Sequence, residues 1–215
     1  MGRSIQAEQL TVVNIIMKIL LASNNQAKIS EIKALLDSLP IEIIPQNTLN
    51  IIPAEETGLT FIENALLKAR QGSKYSQLPC FGEDSGLCVD ILQGAPGIYS
   101  ARYAGIDVPA YAHTQKLLKA LEFFESKDRQ AHYSCTIVLV QHENDPEPFI
   151  CQAQWHGEIL TQPRGTQGFG YDPIFLIPTL HCSAAELSLE QKNTVSHRAQ
   201  ALALLIEHLK KMYLK

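Results

Sequence analysis

The segment KILLASNNQAKISEIKALLDSL, residues 18–39, sets the class of the fold. It begins with a short apolar run that is typical of a buried strand. After a polar turn, apolar side chains recur at helical spacing at Ile29, Ile32, Leu35, Leu36 and Leu39. The segment therefore predicts a strand, a tight loop and a helix in succession.

The same alternation continues along the chain. IEIIP predicts a second strand, and Thr60 with Glu63 forms a capping box ahead of a second helix in TFIENALLKARQGSKYS. GLCVDIL, after an acidic stretch, predicts a strand, and AYAHTQKLLKALEFF predicts a third helix. HYSCTIVLVQ and PFICQAQWHGEI predict an antiparallel hairpin, and VSHRAQALALLIEHLKKM a final helix. Together these patterns indicate the α/β class with a mixed sheet.

Composition limits the domain organisation and the compartment. With 215 residues, 46% of them hydrophobic, residues 17–215 are predicted to form one domain. Residues 1–16 are interpreted as an N-terminal extension, whose order the sequence leaves open. The five cysteines form no CxxC pair, which favours free thiols in a reducing, cytoplasmic setting.

Charge and hydropathy exclude two classes of partner. The net charge of −4, with no run of Lys or Arg, argues against binding to a nucleic-acid polymer. The apolar stretch near the N-terminus is too short to span a bilayer, so no membrane partner is expected. A small anionic ligand remains compatible with this composition.

LASNNQAK is a candidate anion site. Ser23, Asn24 and Asn25 occupy the turn before a helix, followed by Gln26 and Ala27, and Lys28 lies one turn later. Free amides and the dipole at a helix start favour an anion. Simple capping of the helix by Ser or Asn is the alternative for this pattern.

Acidic residues form a second candidate site. FGEDSGLCVD, residues 81–90, places Glu83 and Asp84 side by side at what is predicted to be the end of a buried strand, where like charges repel and are costly to dehydrate. Glu55 and Glu56 lie in a loop ahead of a helix that carries Lys68. The four acids could be solvated, or could supply oxygen ligands to Mg²⁺.

Two further stretches carry aromatic and basic groups. GTQGFGYDPIF presents Phe169 and Tyr171 among glycines, which suits stacking on a planar base, although the rings could equally fill a core gap. EQKNTVSHRAQAL places three basic side chains, Lys192, His197 and Arg198, just before an apolar helical face. These side chains could donate hydrogen bonds to oxygen atoms of a ligand, or could simply lie on the surface.

From Lys18 to the C-terminal helix, the sequence resembles the inosine/xanthosine triphosphate pyrophosphatase family. The motifs that carry this resemblance in combination are SNNxxK, EETGxTFxENAxxKA, EDSGLxVDxLxGAPGxYSARYAG and GFGYDPxF with SHR. The resemblance implies an elongated, two-lobed α/β fold with a long central mixed sheet, flanking helices and a cleft between the lobes. It also implies a homodimer that uses Mg²⁺ to convert ITP, dITP and XTP to the monophosphate and pyrophosphate, which removes non-standard purine nucleotides from the pool.

Site roles carry over from this resemblance. Asp84 is the expected catalytic base, and Glu55 with Asp84 is expected to hold the metal. The expected substrate-binding residues are Ser23, Asn24, Asn25, Gln26, Ala27, Lys28, Lys68, Ser85, Phe169, Gly170, Tyr171, Asp172, Lys192, His197 and Arg198.

A mechanism follows as a hypothesis. Asp84 would activate a water that attacks the α-phosphorus, while Lys28 and Lys68 stabilise the leaving pyrophosphate. Donors from His197 and Arg198 would accept a 6-oxo base and reject adenine. The motifs do not specify how guanine, which shares the 6-oxo group, is rejected. A pyrophosphatase for another modified nucleotide and a non-enzymatic nucleotide sensor are the alternatives.

Overall fold

A computed structural model describes residues 17–37 and 39–213, so the predicted extension at residues 1–16 lies outside the described residues. The described residues form a seven-stranded mixed sheet in the order β2-β1-β3-β4-β5-β6-β7. The strands are β1 Met17–Leu21, β2 Ile41–Pro45, β3 Cys80–Val89, β4 Gln130–Val140, β5 Phe149–Ile159, β6 Phe175–Ile177 and β7 Cys182–Ser183. β1 pairs in parallel with β2 and β3, and the remaining neighbours are antiparallel.

Helices flank this sheet, which confirms the predicted α/β class. The described α-helices are α1 Gln26–Leu36, α2 Phe61–Ser76, α3 Ala110–Ala120, α4 Leu189–Val195 and α5 His197–Tyr213. The capping box at the start of α2 is present, because Thr60 Oγ1 accepts from the Glu63 amide and the Glu63 carboxylate accepts from the Thr60 amide. The predicted hairpin is confirmed as β4 and β5. No described helix has both the length and the apolar character needed to cross a bilayer.

One strand differs from its prediction. The sequence predicted that a buried strand ends at Glu83 and Asp84 and that a second strand follows in GLCVDIL, but β3 is continuous and carries both acids at its centre, so the predicted break was wrong. β4 pairs with β3 along its whole length, from Cys80↔Val140 to Val89↔Ala131. Because β4 provides hydrogen-bond partners for the backbone of β3, the strand can include charged side chains where other parts of the protein compensate their charge.

The long strands β3, β4 and β5 pass through two packed regions. In the first, Phe81, Ile137 and Cys151 pack with side chains of α1 and α5. In the second, Leu87, Tyr133 and Trp155 pack with α3, β6 and the segment that follows it. α2 packs near Leu20 and Val138 in a third cluster. Glu83, Asp84 and Ser85 therefore lie on β3 where one region gives way to the other, which places the site between two lobes.

Candidate active site

The turn between β1 and α1 is closed by its own side chains. Asn25 caps α1, since its Oδ1 accepts from the amides of Ala27 and Lys28 at 3.1 and 3.2 Å. Ser23 Oγ accepts from the Asn25 amide at 3.2 Å. Two amides of the first turn are thus already paired, so an anion there depends on side chains such as Lys28 for much of its binding.

Glu83 and Asp84 line the same cavity but pair with different cations. Successive side chains on a strand point to opposite faces, and the two acids meet cations from different helices. Lys28 of α1 and Arg198 of α5 contact Glu83, whereas Lys68 of α2 contacts Asp84. Lysine and arginine side chains from three helices therefore compensate the charges of these carboxylates.

Next to Asp84, a second carboxylate, that of Glu56, contacts the same Lys68 ammonium group. Lys68 Nζ lies 2.8 Å from Asp84 Oδ1 and 2.6 Å from Glu56 Oε1, while Arg102 lies 2.8 Å from the other oxygen of Glu56. Asn64 Nδ2 donates to Asp84 Oδ2 at 3.4 Å. Burial raises the pKa of Asp84 although Lys68 opposes the shift. A raised pKa suits a carboxylate that accepts a proton from water.

The Glu83 side is a buried ion-pair network. Glu83 is fully enclosed; Lys28 Nζ lies 2.7 Å from Oε2, and Arg198 Nη2 lies 3.3 Å from Oε1. Burial alone would raise the pKa of Glu83, but Lys28 and Arg198 hold the pKa well below its ordinary value. Arg198 also pairs with Glu31 and donates to Ser85 Oγ at 3.3 Å. Adjacent carboxylates on β3 thus have pKa values shifted in opposite directions by their different surroundings.

Asp172 organises the aromatic end of the cleft. Its Oδ2 accepts from Lys192 Nζ at 2.7 Å and from the Phe169 amide at 2.9 Å, and its Oδ1 accepts from Tyr133 Oη at 3.1 Å. A side chain at Gly168 would place Cβ 2.1 Å from this carboxylate, and Gly168 also has φ +73°. Glycine is therefore required there for the loop to wrap around Asp172.

His197 and Arg198 begin α5 at the base of this end. The His197 ring stacks on Tyr133 with centroids 4.7 Å apart and planes 7° apart. Burial, followed by the Arg198 charge, lowers the pKa of His197 well below its ordinary value, so the imidazole is neutral at pH 7. Among the described residues, Nδ1 of His197 and Nε of Arg198 are buried without a hydrogen-bond partner. Buried polar atoms of this kind are expensive unless a ligand supplies the missing bond.

Two adjoining cavities form one cleft through these groups. The first, of about 220 Å³, is lined by the β1–α1 turn, Glu56, Lys68, Glu83 and Asp84. The second, of about 160 Å³, extends from Phe169 to Lys192 and His197. Asn25, Lys28 and Ser85 line both. A ligand with a charged end and a planar end fits such a continuous cleft.

Comparison with known proteins identifies the family. The model of the Ham1 family matches residues 19–208. This chain belongs to the Ham1 family. This Ham1 protein is 48% identical over 193 residues to a dITP/XTP pyrophosphatase of Escherichia coli strain K12, covering 90% of this chain and 98% of that one. It is 52% identical over 197 residues to a dITP/XTP pyrophosphatase of Acinetobacter baumannii strain ACICU, covering 90% and 95%.

Solved structures agree with this assignment. A HAM1 protein from Coxiella burnetii matches with a TM-score of 0.86 at 47% identity and covers 91% of this chain and 99% of its own. The Ham1 protein of Staphylococcus aureus matches with a TM-score of 0.80 at 40% identity, covering 90% and 98%. The mixed sheet with flanking helices is therefore the fold of the family.

Most of the predicted site residues of this Ham1 protein lie in the cleft, and three do not. Gln26 and Ala27 are exposed and line neither cavity. Glu55, the predicted metal ligand, is also exposed and outside the cleft lining, whereas its neighbour Glu56 contacts Lys68 there. The predicted residues that line the cleft are Ser23, Asn24, Asn25, Lys28, Lys68, Asp84, Ser85, Phe169, Gly170, Tyr171, Asp172, Lys192, His197 and Arg198.

Sequence reasoning missed two residues that organise the cleft. Glu31 is buried on α1 and pairs with Arg198, and its Oε1 lies 3.5 Å from Lys192 Nζ. Its position three residues after Lys28 on the same helical face was an available signal. Tyr133 lies in the β4 pattern of alternating side chains, which gave no sign that its hydroxyl would reach Asp172.

Proposed function

We propose that this protein hydrolyses ITP, dITP and XTP to the nucleoside monophosphate and pyrophosphate, and so clears non-standard purine nucleotides from the pool. The observation that carries the proposal is the continuous cleft, in which Lys28 and Ser85 line both the acidic half and the aromatic half. Relatives named dITP/XTP pyrophosphatase, 48–52% identical, support the same substrate class.

A divalent cation fits the acidic half. Oxygens of Glu56 and Asp84 converge on the Lys68 ammonium at 2.6 and 2.8 Å, so both carboxylates already aim at one positive charge. No group of three or more His, Cys, Asp or Glu side chains capable of holding a metal occurs within the described ranges. Mg²⁺ commonly binds through one or two carboxylates plus substrate phosphates. Glu56 and Asp84 would hold it, and when bound it would neutralise phosphate charge.

In this proposal Asp84 acts as the base. Its raised pKa and its position in the cleft suit removal of a proton from the water that attacks the α-phosphorus. Lys28 forms an ion pair with Glu83 and Lys68 forms one with Asp84. During the reaction both ammonium groups would also stabilise the negative charge on the leaving pyrophosphate. The bond between the α-phosphorus and its bridging oxygen breaks, and water supplies the new oxygen.

The aromatic half would select the base. Hypoxanthine and xanthine carry an acceptor at the 6-position, whereas adenine carries an amino group. The unpartnered Nε–H of Arg198 and the neutral His197 offer hydrogen bonds within this half. A 6-oxo base satisfies a donor that adenine leaves unpaired, at a cost of about 1–3 kcal/mol for each such donor.

We also propose that the protein is a cytoplasmic homodimer. Free thiols at all five cysteines are compatible with a reducing compartment. A surface cavity of about 700 Å³ is lined by apolar groups that include Leu59, Phe61, Pro96 and Tyr99, and Leu59 is 81% exposed. An exposed apolar surface of this kind suits a second subunit. Sedimentation of the purified chain would test this: a monomer at all concentrations would contradict it.

A pyrophosphate-release panel tests the function. ITP, dITP, XTP, GTP and ATP are compared with and without Mg²⁺, using inorganic phosphate release as the control for a different cleavage position. We expect pyrophosphate from the first three only, and only with the metal. Equal rates on all five nucleotides, or binding with no turnover, would contradict the proposal; the latter would favour a nucleotide sensor.

A further inference from the structure

His113 of α3 is a buried histidine in the aromatic half to which no role has been assigned so far. It is 8% exposed and lines the same cavity as Phe169, His197 and Arg198. Its Nδ1 accepts a hydrogen bond from the Ala104 amide at 2.9 Å. Because that nitrogen accepts, the ring proton of the neutral imidazole must be on Nε2. The fold therefore fixes His113 as a hydrogen-bond donor.

The other polar side chains near His113 are already engaged. Ser100 Oγ accepts from the Leu87 amide and donates to the Gly97 carbonyl, at 2.9 and 2.6 Å. Tyr171 Oη donates to the Ser100 carbonyl at 2.9 Å. Thr114 Oγ1 donates to the Gly170 carbonyl at 3.4 Å. Nε2 of His113, in contrast, has no hydrogen-bond partner within residues 17–37 and 39–213, so this wall offers the cavity one uncommitted side-chain donor.

The wall on which His113 lies indicates which edge of the base its Nε2 would face. Lys192, His197 and Arg198 form the wall contributed by α4 and α5, and His113 belongs to the wall contributed by α3 and the 3₁₀ helix Gly97–Arg102. If the 6-oxo group faces α5, the edge of the six-membered ring that carries C2 and N3 faces away from it. At C2, xanthine has an acceptor oxygen, hypoxanthine has only a hydrogen atom, and guanine has an amino donor. N3 is an acceptor in both hypoxanthine and guanine, so C2 is the position that distinguishes these bases.

We infer that His113 is a specificity-determining residue whose Nε2 donates toward C2 of the base, where it binds the 2-oxo group of xanthine, tolerates the hydrogen of hypoxanthine and rejects the 2-amino group of guanine. The inference rests on the proposed function. It explains how a pocket that reads a 6-oxo group distinguishes XTP from GTP: the 2-amino group of guanine would meet another donor and leave both unpaired. Mismatched donors in a buried site lower the rate on the wrong substrate far more than a missing methyl group does.

A nearly isosteric pair of variants tests this role. In both His113→Asn and His113→Asp, one side-chain oxygen can replace Nδ1 as the acceptor for the Ala104 amide. The second terminal atom then lies near the position of the ring Cδ2, one bond short of Nε2, and it is an N–H donor in the Asn variant and an acceptor in the Asp variant. We expect His113→Asn to keep the parent's order of kcat/KM values. His113→Asp should raise the GTP/XTP ratio of kcat/KM about tenfold or more relative to His113→Asn.

Ratios between substrates measured on one preparation cancel general losses caused by the added charge or by lower stability. His113→Phe, which offers no donor, is the second variant if His113→Asp does not fold, and it should lower the XTP/ITP ratio about tenfold. Gln115→Ala, an exposed change two residues along α3, is the control and should leave the ratios unchanged.

The ITP/dITP ratio separates the base from the sugar as the acceptor. If His113→Phe lowers ITP/dITP and leaves XTP/ITP unchanged, His113 binds the ribose 2′-hydroxyl and the inference is overturned. Unchanged GTP/XTP and XTP/ITP ratios in every folded His113 variant would also overturn it. A parent protein that releases no pyrophosphate from ITP or XTP would instead refute the proposed function itself.

Discussion

The carboxylates of Glu83 and Asp84 are neighbours on β3 but have different surroundings, and this difference supports the proposed role of Asp84 as the base. Glu83 is held ionised between Lys28 and Arg198, whereas burial raises the pKa of Asp84. Asp84→Asn removes the base but preserves size and the hydrogen bond from Lys68. We expect kcat on ITP to fall about a hundredfold or more, while calorimetry still detects binding of ITP. Turnover close to that of the parent would exclude Asp84 as the base.

Substitutions of the neighbouring residues Glu55 and Glu56 can be compared to test which carboxylate binds the metal. The family resemblance implied metal binding by Glu55, but the structure brings Glu56 to Lys68 and leaves Glu55 exposed. Glu56→Gln should raise the Mg²⁺ concentration for half-maximal rate about tenfold or more, and should weaken Mg²⁺ binding measured by calorimetry with a non-hydrolysable nucleotide.

Glu55→Gln is the control and should shift the half-maximal Mg²⁺ concentration less than twofold, within the effect of one exposed charge. The opposite result, a large shift for Glu55→Gln and none for Glu56→Gln, would support the original assignment. The two residues cannot be distinguished by motif alone because both precede α2 in an irregular loop. Arg102, which pairs with Glu56 from a distant segment, provides the decisive contact.

Close approach of α2 to β3 depends on Gly82. A Cβ there would lie 2.2 Å from the Ala65 carbonyl oxygen and 2.9 Å from the Lys68 Cβ. Gly82→Ala must therefore push α2 away from the strand, which moves Lys68 relative to Asp84. We expect a loss of about 1–3 kcal/mol in the free energy of unfolding, together with a lower kcat measured well below the unfolding transition. A variant with normal stability and kcat would show that the helix does not need this contact.

At the scale of elements, the sequence predicted those helices whose signals lie within a single segment. The capping box at Thr60 and the apolar stripe of α5 identified both helices because each signal lies within one segment. The continuity of β3 could not be predicted in this way, because Glu83 and Asp84 interrupt the apolar pattern. Their charges are compensated by Lys28, Lys68 and Arg198, which come from three different helices. Only tertiary structure makes two acids compatible with a buried strand.

At the scale of the molecule, the cleft depends on the last helix as much as on the first. Arg198 of α5 joins Glu31 of α1 to Glu83 of β3, so one buried guanidinium links the two ends of the described chain at the active site. Burial opposes its charge, but Glu83 and Glu31 raise its pKa above the ordinary value. Breaking such a network by removing one partner leaves uncompensated buried charge. The same arrangement keeps His197, the residue before it, neutral.

This neutral histidine predicts a dependence of stability on pH. An unfolded chain protonates His197 near pH 6.5, but burial and the charge of Arg198 lower its pKa in the folded protein. Above pH 6.5 both states are neutral and His197 makes no difference. Below it the unfolded state binds a proton that the folded state does not, so the free energy of unfolding falls by up to about 1.4 kcal/mol per pH unit. Denaturant unfolding between pH 7.5 and 5 measures this slope. His197→Asn should flatten the slope relative to the parent, because histidines common to both proteins cancel in the difference. An identical slope would mean that folding does not shift the pKa of His197.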